Sequence, residues 1–298
     1  MSAAVAPSRS AIAAATQRRL RRRRAVNTVA VTLMAACVAV ALVPLGSLLF
    51  YVAKRGIGAL SWTALTRAPA PSSEGGGGFG NAIAGSAELL AVAALIGVPW
   101  GVLNAIYLSE LARGRLGRAV RFFSDVLTGI PTIVTGLVVY GLLVIGLGGF
   151  SALAGGVALG LIMLPIVTRG SEEMLNLVPD ALREAGLALG LPRWKVTLRI
   201  VLPTAARGIV TANLLALARA SGETAPLIVT ALGSNFYTWK LTGAPVNALP
   251  LYIFKNAGQP DPVKIQLAWA ATLVLILFVL TLSLLARLIG RGAHDTAE

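Results

Sequence analysis

Charge is the first thing this chain is short of. Only 13% of its 298 residues are Asp, Glu, Lys or Arg, about half the share usual in soluble domains. One cysteine, Cys37, and one histidine, His294, leave no disulfide framework and no Cys/His metal site. No cluster of carboxylates stands in as metal ligands, and no cofactor is expected on the chain itself. Lysine is scarce as well. None of Lys54, Lys195, Lys240, Lys255 and Lys264 is followed by Ser or Thr, so the phosphate-cradling Walker A sequence is missing. No nucleophile–base pair stands out either, which argues against an enzyme.

What is present is apolar: 56% of the residues are hydrophobic and the mean hydropathy is +0.78. The net charge of +14 would suggest nucleic acid in a soluble protein. Here the basic residues fall mostly between apolar runs, which places the chain in a lipid membrane and leaves no nucleic-acid partner expected. The first 24 residues hold seven arginines and form a basic tail. The run 25–53 that follows is about twice the length of a signal-peptide core. "LLFYVAKRG" after it lacks a small-x-small cleavage site, so it reads as a retained anchor helix.

Residues 54–80 read as a polar connector whose "SSEGGGGFG" suggests a flexible linker. Further spans of roughly the 20 residues a bilayer crossing needs are expected at 82–108, 122–147, 149–168, 205–232 and 266–288. The sum is an all-α polytopic membrane protein of six transmembrane helices: an anchor, a linker, a membrane domain over 81–290 and a tail at 291–298. Lys and Arg divide 19 to 6 between alternate sides, which puts both termini in the cytoplasm. Pro99, the "TGIP" of Thr128 to Pro131, and Pro165 are candidate helix breaks.

Between the fourth and fifth spans lies "VPDALREAGLALGLPRWKVTLRIVLP", too charged to cross and too patterned for a linker. Asp180 can cap a short helix whose Leu182, Gly186 and Leu189 share a face. Gly190 can end it in the left-handed conformation, and Pro192 suits the start of a second helix. "EAGLALGLPRWKVTLRIVLP" resembles the EAA loop of ABC-transporter permeases. Glu184, Ala185, Gly190, Ile200, Leu202 and Pro203 match in register, and Gly186 stands where that pattern has alanine. The resemblance implies that this loop docks into a cytoplasmic ATPase dimer, which supplies the ATP and Mg site this chain lacks.

Arg219 and Glu223 interrupt the apolar segment 214–232. A charge at membrane depth costs about 2.5–3.5 kcal/mol on insertion scales. Four residues apart on a continuous helix, the two share a face, so one reading is a static ion pair. A buried pair adds doubtful net stability, however, and intramembrane charges more often line a polar path. A guanidinium presents a planar fork of donors that matches phosphate oxygens. Glu223 can hold that fork and accept a hydrogen bond from the protonated oxygen of HPO₄²⁻. Gly222 and Pro226 can break the helix there and expose backbone N–H groups to an anion.

"RASGETAPL", from Arg219 to Leu227, is similar to the A-type permease subunits of bacterial phosphate-specific (Pst) ABC importers. "SDVLTGIPTIVTGL" and "LPIVTRGSEEML" carry the same resemblance, which covers about residues 78–290. It implies phosphate import, with Arg219, Glu223 and Thr224 on the substrate path. A C-type sister permease and an extracytoplasmic phosphate-binding protein come with it as partners. Arg169 is either a second path residue or an anchor at a span end. The loop from Gly233 to Pro262 is either an interfacial belt in contact with lipid or a contact for the binding protein. An ABC permease for another oxyanion, and an ion-coupled carrier working without an ATPase, are the rival readings.

Overall fold

The computed structural model describes residues 9–112 and 114–291, with side chains from residue 19 to 290. The first eight residues of the basic tail and 292–298 of the expected C-terminal tail, with His294, lie outside the described residues. The chain divides into two compact units, Met1–Lys54 and Arg55–Glu298. The first is almost entirely one helix, α1 (Arg9–Ile57), which runs through Pro44. Its apolar stretch leaves the side chains exposed within its own unit, as an anchor solvated by lipid would be.

In the second unit every element among the described residues is helical apart from two isolated bridges, Pro69↔Gly77 and Leu232↔Val246. In order come α2 (Trp62–Thr66), α3 (Gly80–Ile106), α4 (Arg115–Gly129), α5 (Thr132–Val139) and α6 (Ala152–Asn176). Then follow α7 (Asp180–Ala188), α8 (Arg193–Val196), α9 (Leu202–Ala220), α10 (Ala225–Thr230), α11 (Leu249–Ala257) and α12 (Pro262–Arg291). Single π-helical turns extend α3 over Tyr107–Leu111, extend α5 over Tyr140–Val144, and join α8 to α9 over Thr197–Val201. Among the described residues five helices are long and apolar enough to cross a membrane, or six if the bent pair α4 and α5 counts as one span.

Glycine sets the central contact, between α3 and α6. A Cβ added to Gly156 would sit 2.4 Å from Val92 side-chain atoms, and one on Gly101 would sit 2.5 Å from Val167 Cγ1. Gly97 and Gly160 press on the facing helix in the same way. Gly97-x-x-x-Gly101 and Gly156-x-x-x-Gly160 therefore bring the two backbones together, as small residues four apart do between membrane helices. Around this seam Leu89, Ala93, Leu159, Met163, Ala216 and Leu227 form a buried cluster. α12 packs along α9, and α11 packs on α12.

Several expectations change. The span expected at 122–147 is not one rod: α4 and α5 are bent by 102° at the break between them. Pro131 has no N–H to donate and pushes the preceding residue out of the helical region; Ile130 has ψ 131. Pro99 and Pro165, by contrast, lie inside unbroken helices. The fifth span begins at Arg193 and ends at Ala220, so the second helix of the inter-span segment is the start of that span. The 54–80 connector is folded, not a flexible linker. Gly75, Gly76 and Gly77 all have positive φ, and a Cβ on Gly77 would be 2.3 Å from Ala68 O. Only glycine fits so tight a turn.

Candidate functional site

Two groups of residues converge at opposite ends of α9. At the α7 end, the guanidinium of Arg183 is wrapped by acceptors. Nε and Nη2 donate to Glu110 Oε1 at 3.1 and 2.9 Å, Nη2 also donates to Leu175 O at 2.8 Å, and Nη1 donates to Val178 O and Asp180 Oδ1. The side chains of Arg183 and Glu110 are 19% and 12% exposed. A half-buried, fully partnered arginine of this kind ties α7 to the π-helical turn after α3. Next to it, Arg121 of α4 donates to Glu172 of α6 at 2.7 and 2.9 Å and to Leu108 O at 3.1 Å.

α7 ends as its sequence demands, with Gly190 at φ +79. Asp180 does not cap the helix: it is the first helical residue, Pro179 holds the cap position, and no side-chain cap bond forms. The expected shared face also divides. Gly186 is buried, because a Cβ there would lie 2.7 Å from Ile200 Cδ1 and 3.0 Å from Val196 Cγ2. The missing methyl thus lets α7 lie against the start of the fifth span and is not on the outward surface. Leu182 and Leu189 are exposed instead. Glu184 and Ala185 are exposed too, beside exposed Leu187, Trp194 and Leu198. Glu184, Leu187 and Trp194 border a groove of about 410 Å³. Pro203 is the second residue of α9 and is exposed.

At the far end, α9 stops at Ala220 and α10 starts at Ala225, so the expected break lies between Gly222 and Pro226. The continuous helix on which Arg219 and Glu223 would share a face is therefore absent. No ion pair joins them among the described residues. The amide N–H groups of Gly222 and Glu223 are also not free for an anion: they donate to Arg219 O and Ala220 O at 3.2 and 3.1 Å. Arg219 is exposed, while Glu223 and Thr224 are half-buried beside it. What the break presents is a guanidinium with a carboxylate and a hydroxyl nearby, on a surface of the chain.

Arg169 lies on the α7 side, where it shares a small pocket with Arg121 and Glu172. It pairs with Asp125 of α4, the two side chains being 55% and 49% exposed. Gly170 beside it packs on Ala212. Arg219 lies seven residues further along α9, about 10 Å at 1.5 Å per residue. The two arginines thus sit at different depths.

Sequence reasoning passed over three features. The Arg183–Glu110 link joins residues 73 apart, with no local pattern to announce it. The paired glycines of α3 and α6 were legible as small residues four apart inside apolar runs. Glu88 was legible as a carboxylate within a span; it is half-buried, and its Oε2 is buried without a partner.

Together these features define a class: a helical membrane domain with a short helix braced outside the bundle and a charged break near the other end of one span. Residues 97–294 match the model of the binding-protein-dependent transport system inner membrane component family, and the chain belongs to that family. It is a multi-pass inner-membrane permease component of ABC transporters, a type of subunit that is not itself catalytic and works with ATPase and binding-protein partners. Among its relatives is a phosphate transport system permease protein PstA of Yersinia pestis, 44% identical over 268 residues, which are 90% of each chain. Another, PstA 1 of Mycobacterium tuberculosis, is 42% identical over 273 residues, again 90% of each. Of solved structures, an inward-facing form of the MetNI methionine ABC transporter superposes with a TM-score of 0.54 at 20% identity. It covers 71% of this chain and 94% of that one, a likeness of fold alone.

Proposed function

We propose that this chain is the membrane permease subunit of an ATP-driven importer of inorganic phosphate. It forms half of the translocation pathway, and a C-type sister permease forms the other half. The observation that carries the reading is the 44% identity, over 90% of both chains, to a phosphate transport permease. The chain moves its substrate and breaks no bond in it.

In this reading both termini are cytoplasmic, which the 19-to-6 division of basic residues supports. α7 then lies on the cytoplasmic side, where Glu184 and Ala185 enter a groove of the ATPase dimer that binds ATP and Mg. Gly190 and buried Gly186 set the shape of that helix. Closure of the ATPase pushes α7, and the Arg183–Glu110 link passes the movement to the end of α3. Arg219, exposed and without a carboxylate bonded to it, faces the pathway shared with the sister chain. Its fork of donors takes phosphate oxygens, with Glu223 and Thr224 beside it. Arg169, already paired with Asp125, acts as an anchor near the cytoplasmic end. An extracytoplasmic phosphate-binding protein delivers the anion to the opposite face.

Uptake of radiolabelled phosphate into vesicles holding the reconstituted complex tests this. ATP-dependent uptake that excess sulfate or molybdate leaves unchanged is expected. Strong competition by either would defeat the phosphate assignment, and uptake that survives ATP depletion would defeat the ATP-driven one.

A further inference from the structure

On the face opposite α7, the chain forms an open polar pocket of about 680 Å³. α11 and the turn after it supply Tyr252, Lys255, Asn256 and Gln259; Lys264 comes from α12, and Asn247 from the segment before α11. No carboxylate lines it. Asp261, three residues before Lys264, is engaged by the Ser72 hydroxyl and by the Val263 N–H at 3.0 Å, and the Lys264 N–H and charge also act on it.

The wall is held in an unusual backbone. Leu232 has φ +62, in the left-handed region that favours glycine, and its carbonyl accepts a hydrogen bond from Lys255 Nζ at 2.5 Å. Gly233 follows at φ +83, and a Cβ on it would lie 2.9 Å from Lys255 Nζ and 3.2 Å from Asn247 Oδ1. The glycine leaves room for the ammonium and the amide to reach the cavity together. Strained backbone held by its surroundings is concentrated at binding sites. Asn247 is only 5% exposed, and its Oδ1 accepts the Ala248 N–H at 3.0 Å, which leaves its NH₂ group as a donor to the cavity. Lys264 donates to Gln259 Oε1 at 3.2 Å. Burial lowers the Lys255 ammonium from its ordinary range, and no carboxylate within ion-pair reach offsets that. Burial also pushes the Tyr252 hydroxyl up to about 12, so it stays a proton donor at neutral pH.

The geometry points to a second, outer anion site: we propose that this cavity binds a small oxyanion, inorganic phosphate for this chain, before it reaches Arg219. Two ammonium groups and the Asn247 amide, with no lining carboxylate, repel cations and favour an anion. A cavity lined by one sign of charge also raises the local concentration of its counter-ion. The proposal rests on the phosphate reading above for the identity of the anion, and on the cavity alone for its charge.

The test uses the complete importer complex in lipid nanodiscs without the binding protein. In a Cys37→Ser background, Asn256→Cys places the one thiol of this chain in the cavity wall while both lysines stay intact. Its modification by an anionic and by a cationic methanethiosulfonate reagent is followed by the mass of this chain. The anionic reagent, corrected for intrinsic reactivity, is expected to react about tenfold faster at low salt. Millimolar inorganic phosphate should slow it severalfold more than chloride of equal ionic strength. Adding Lys264→Gln should reduce the preference for the anionic reagent. Equal rates for the two reagents, or protection no greater than that by chloride, would overturn the site. Phosphate uptake by the same complex separates the two ideas. Protection without uptake keeps the site and removes the transport reading; uptake without protection does the reverse.

Discussion

The two ends of the membrane domain solve the problem of charge in opposite ways. At the α7 end, arginines meet carboxylates across helices: Arg183 with Glu110, Arg121 with Glu172, Arg169 with Asp125. At the far end the ties are neutral or one-sided: Asn81 Nδ2 donates to Ser234 O, Ser86 Oγ accepts the Leu249 N–H, and Lys255 donates to Leu232 O. Arg219 and Lys255 stand there without an ion-pair partner among the described residues. A part that transmits a push is served by links that stiffen it. A part that receives an anion is served by cations left uncancelled, since a bonded carboxylate would compete with the substrate for the same donors. On the proposed function, the contrast fits mechanics at one end and recognition at the other.

The glycine seam joins the two ends, so its loss should have the largest effect. Gly156→Leu drives a side chain into Val92, where the Cβ alone is 2.4 Å away. With overpacking of about 1–3 kcal/mol or more, the complex should fail to assemble, as size-exclusion of the detergent-solubilised importer would reveal. Normal assembly would mean that the seam is not what holds α3 to α6. Arg219→Lys keeps the charge but loses the fork. Uptake is expected to fall at least about tenfold, the equivalent of one charge-assisted hydrogen bond of about 1.5 kcal/mol. Wild-type rates would remove recognition from that end.

Glu110→Gln sharpens the mechanical side. It takes the Glu110 carboxylate from the half-buried Arg183 and leaves it only the exposed Asp180, a loss of about 1–3 kcal/mol. Stimulation of ATPase activity by the loaded binding protein should drop while phosphate binding to the outer cavity persists. Unchanged stimulation would show that the link carries no load. Arg169→Gln should do less. Its pair with Asp125 is about half exposed on both sides, which limits it to about 0–1 kcal/mol, and uptake should stay above half of wild type. A loss as deep as that of Arg219→Lys would instead place Arg169 on the path.

The smallest effect concerns pH. The Asp261 carboxyl is held below its ordinary range, first by the Ser72 hydroxyl, with burial opposing and the Val263 and Lys264 N–H groups and the Lys264 charge assisting. Its folded value is depressed, so its contribution is present above the unfolded value of about 3.9. It is lost as pH falls through the lower folded value. Ser72→Ala should abolish that acid-side decline in thermal stability and leave neutral pH nearly unchanged; an identical acid limb in both proteins would show that the link contributes nothing.

Much of this was legible beforehand because it is local. Gly190 ends α7, the chain breaks between Gly222 and Pro226, and Pro131 interrupts an apolar run, each for reasons held in a few adjacent residues. The misreadings share a different cause. Gly186 was grouped with Leu182 and Leu189 on one face because helical spacing says which residues align, not which of them meets another helix. Arg219 and Glu223 were paired by a spacing that holds only on an unbroken helix, although the same stretch carried the signals for a break. Gly75 to Gly78 read as slack because glycine permits both freedom and very close packing, and only the neighbours decide between them.

Composition and apolar run length by themselves determined that this is a helical membrane protein, since lipid leaves a continuous chain little choice but to satisfy its backbone internally. The motifs around Glu184 and Arg219 determined the family to which it is similar. The tertiary structure alone decided that Arg183 meets Glu110, that α3 and α6 touch through glycines, and that two lysines and an amide share one cavity. Each of those joins residues far apart in sequence, and their distance in space is set by how whole helices pack.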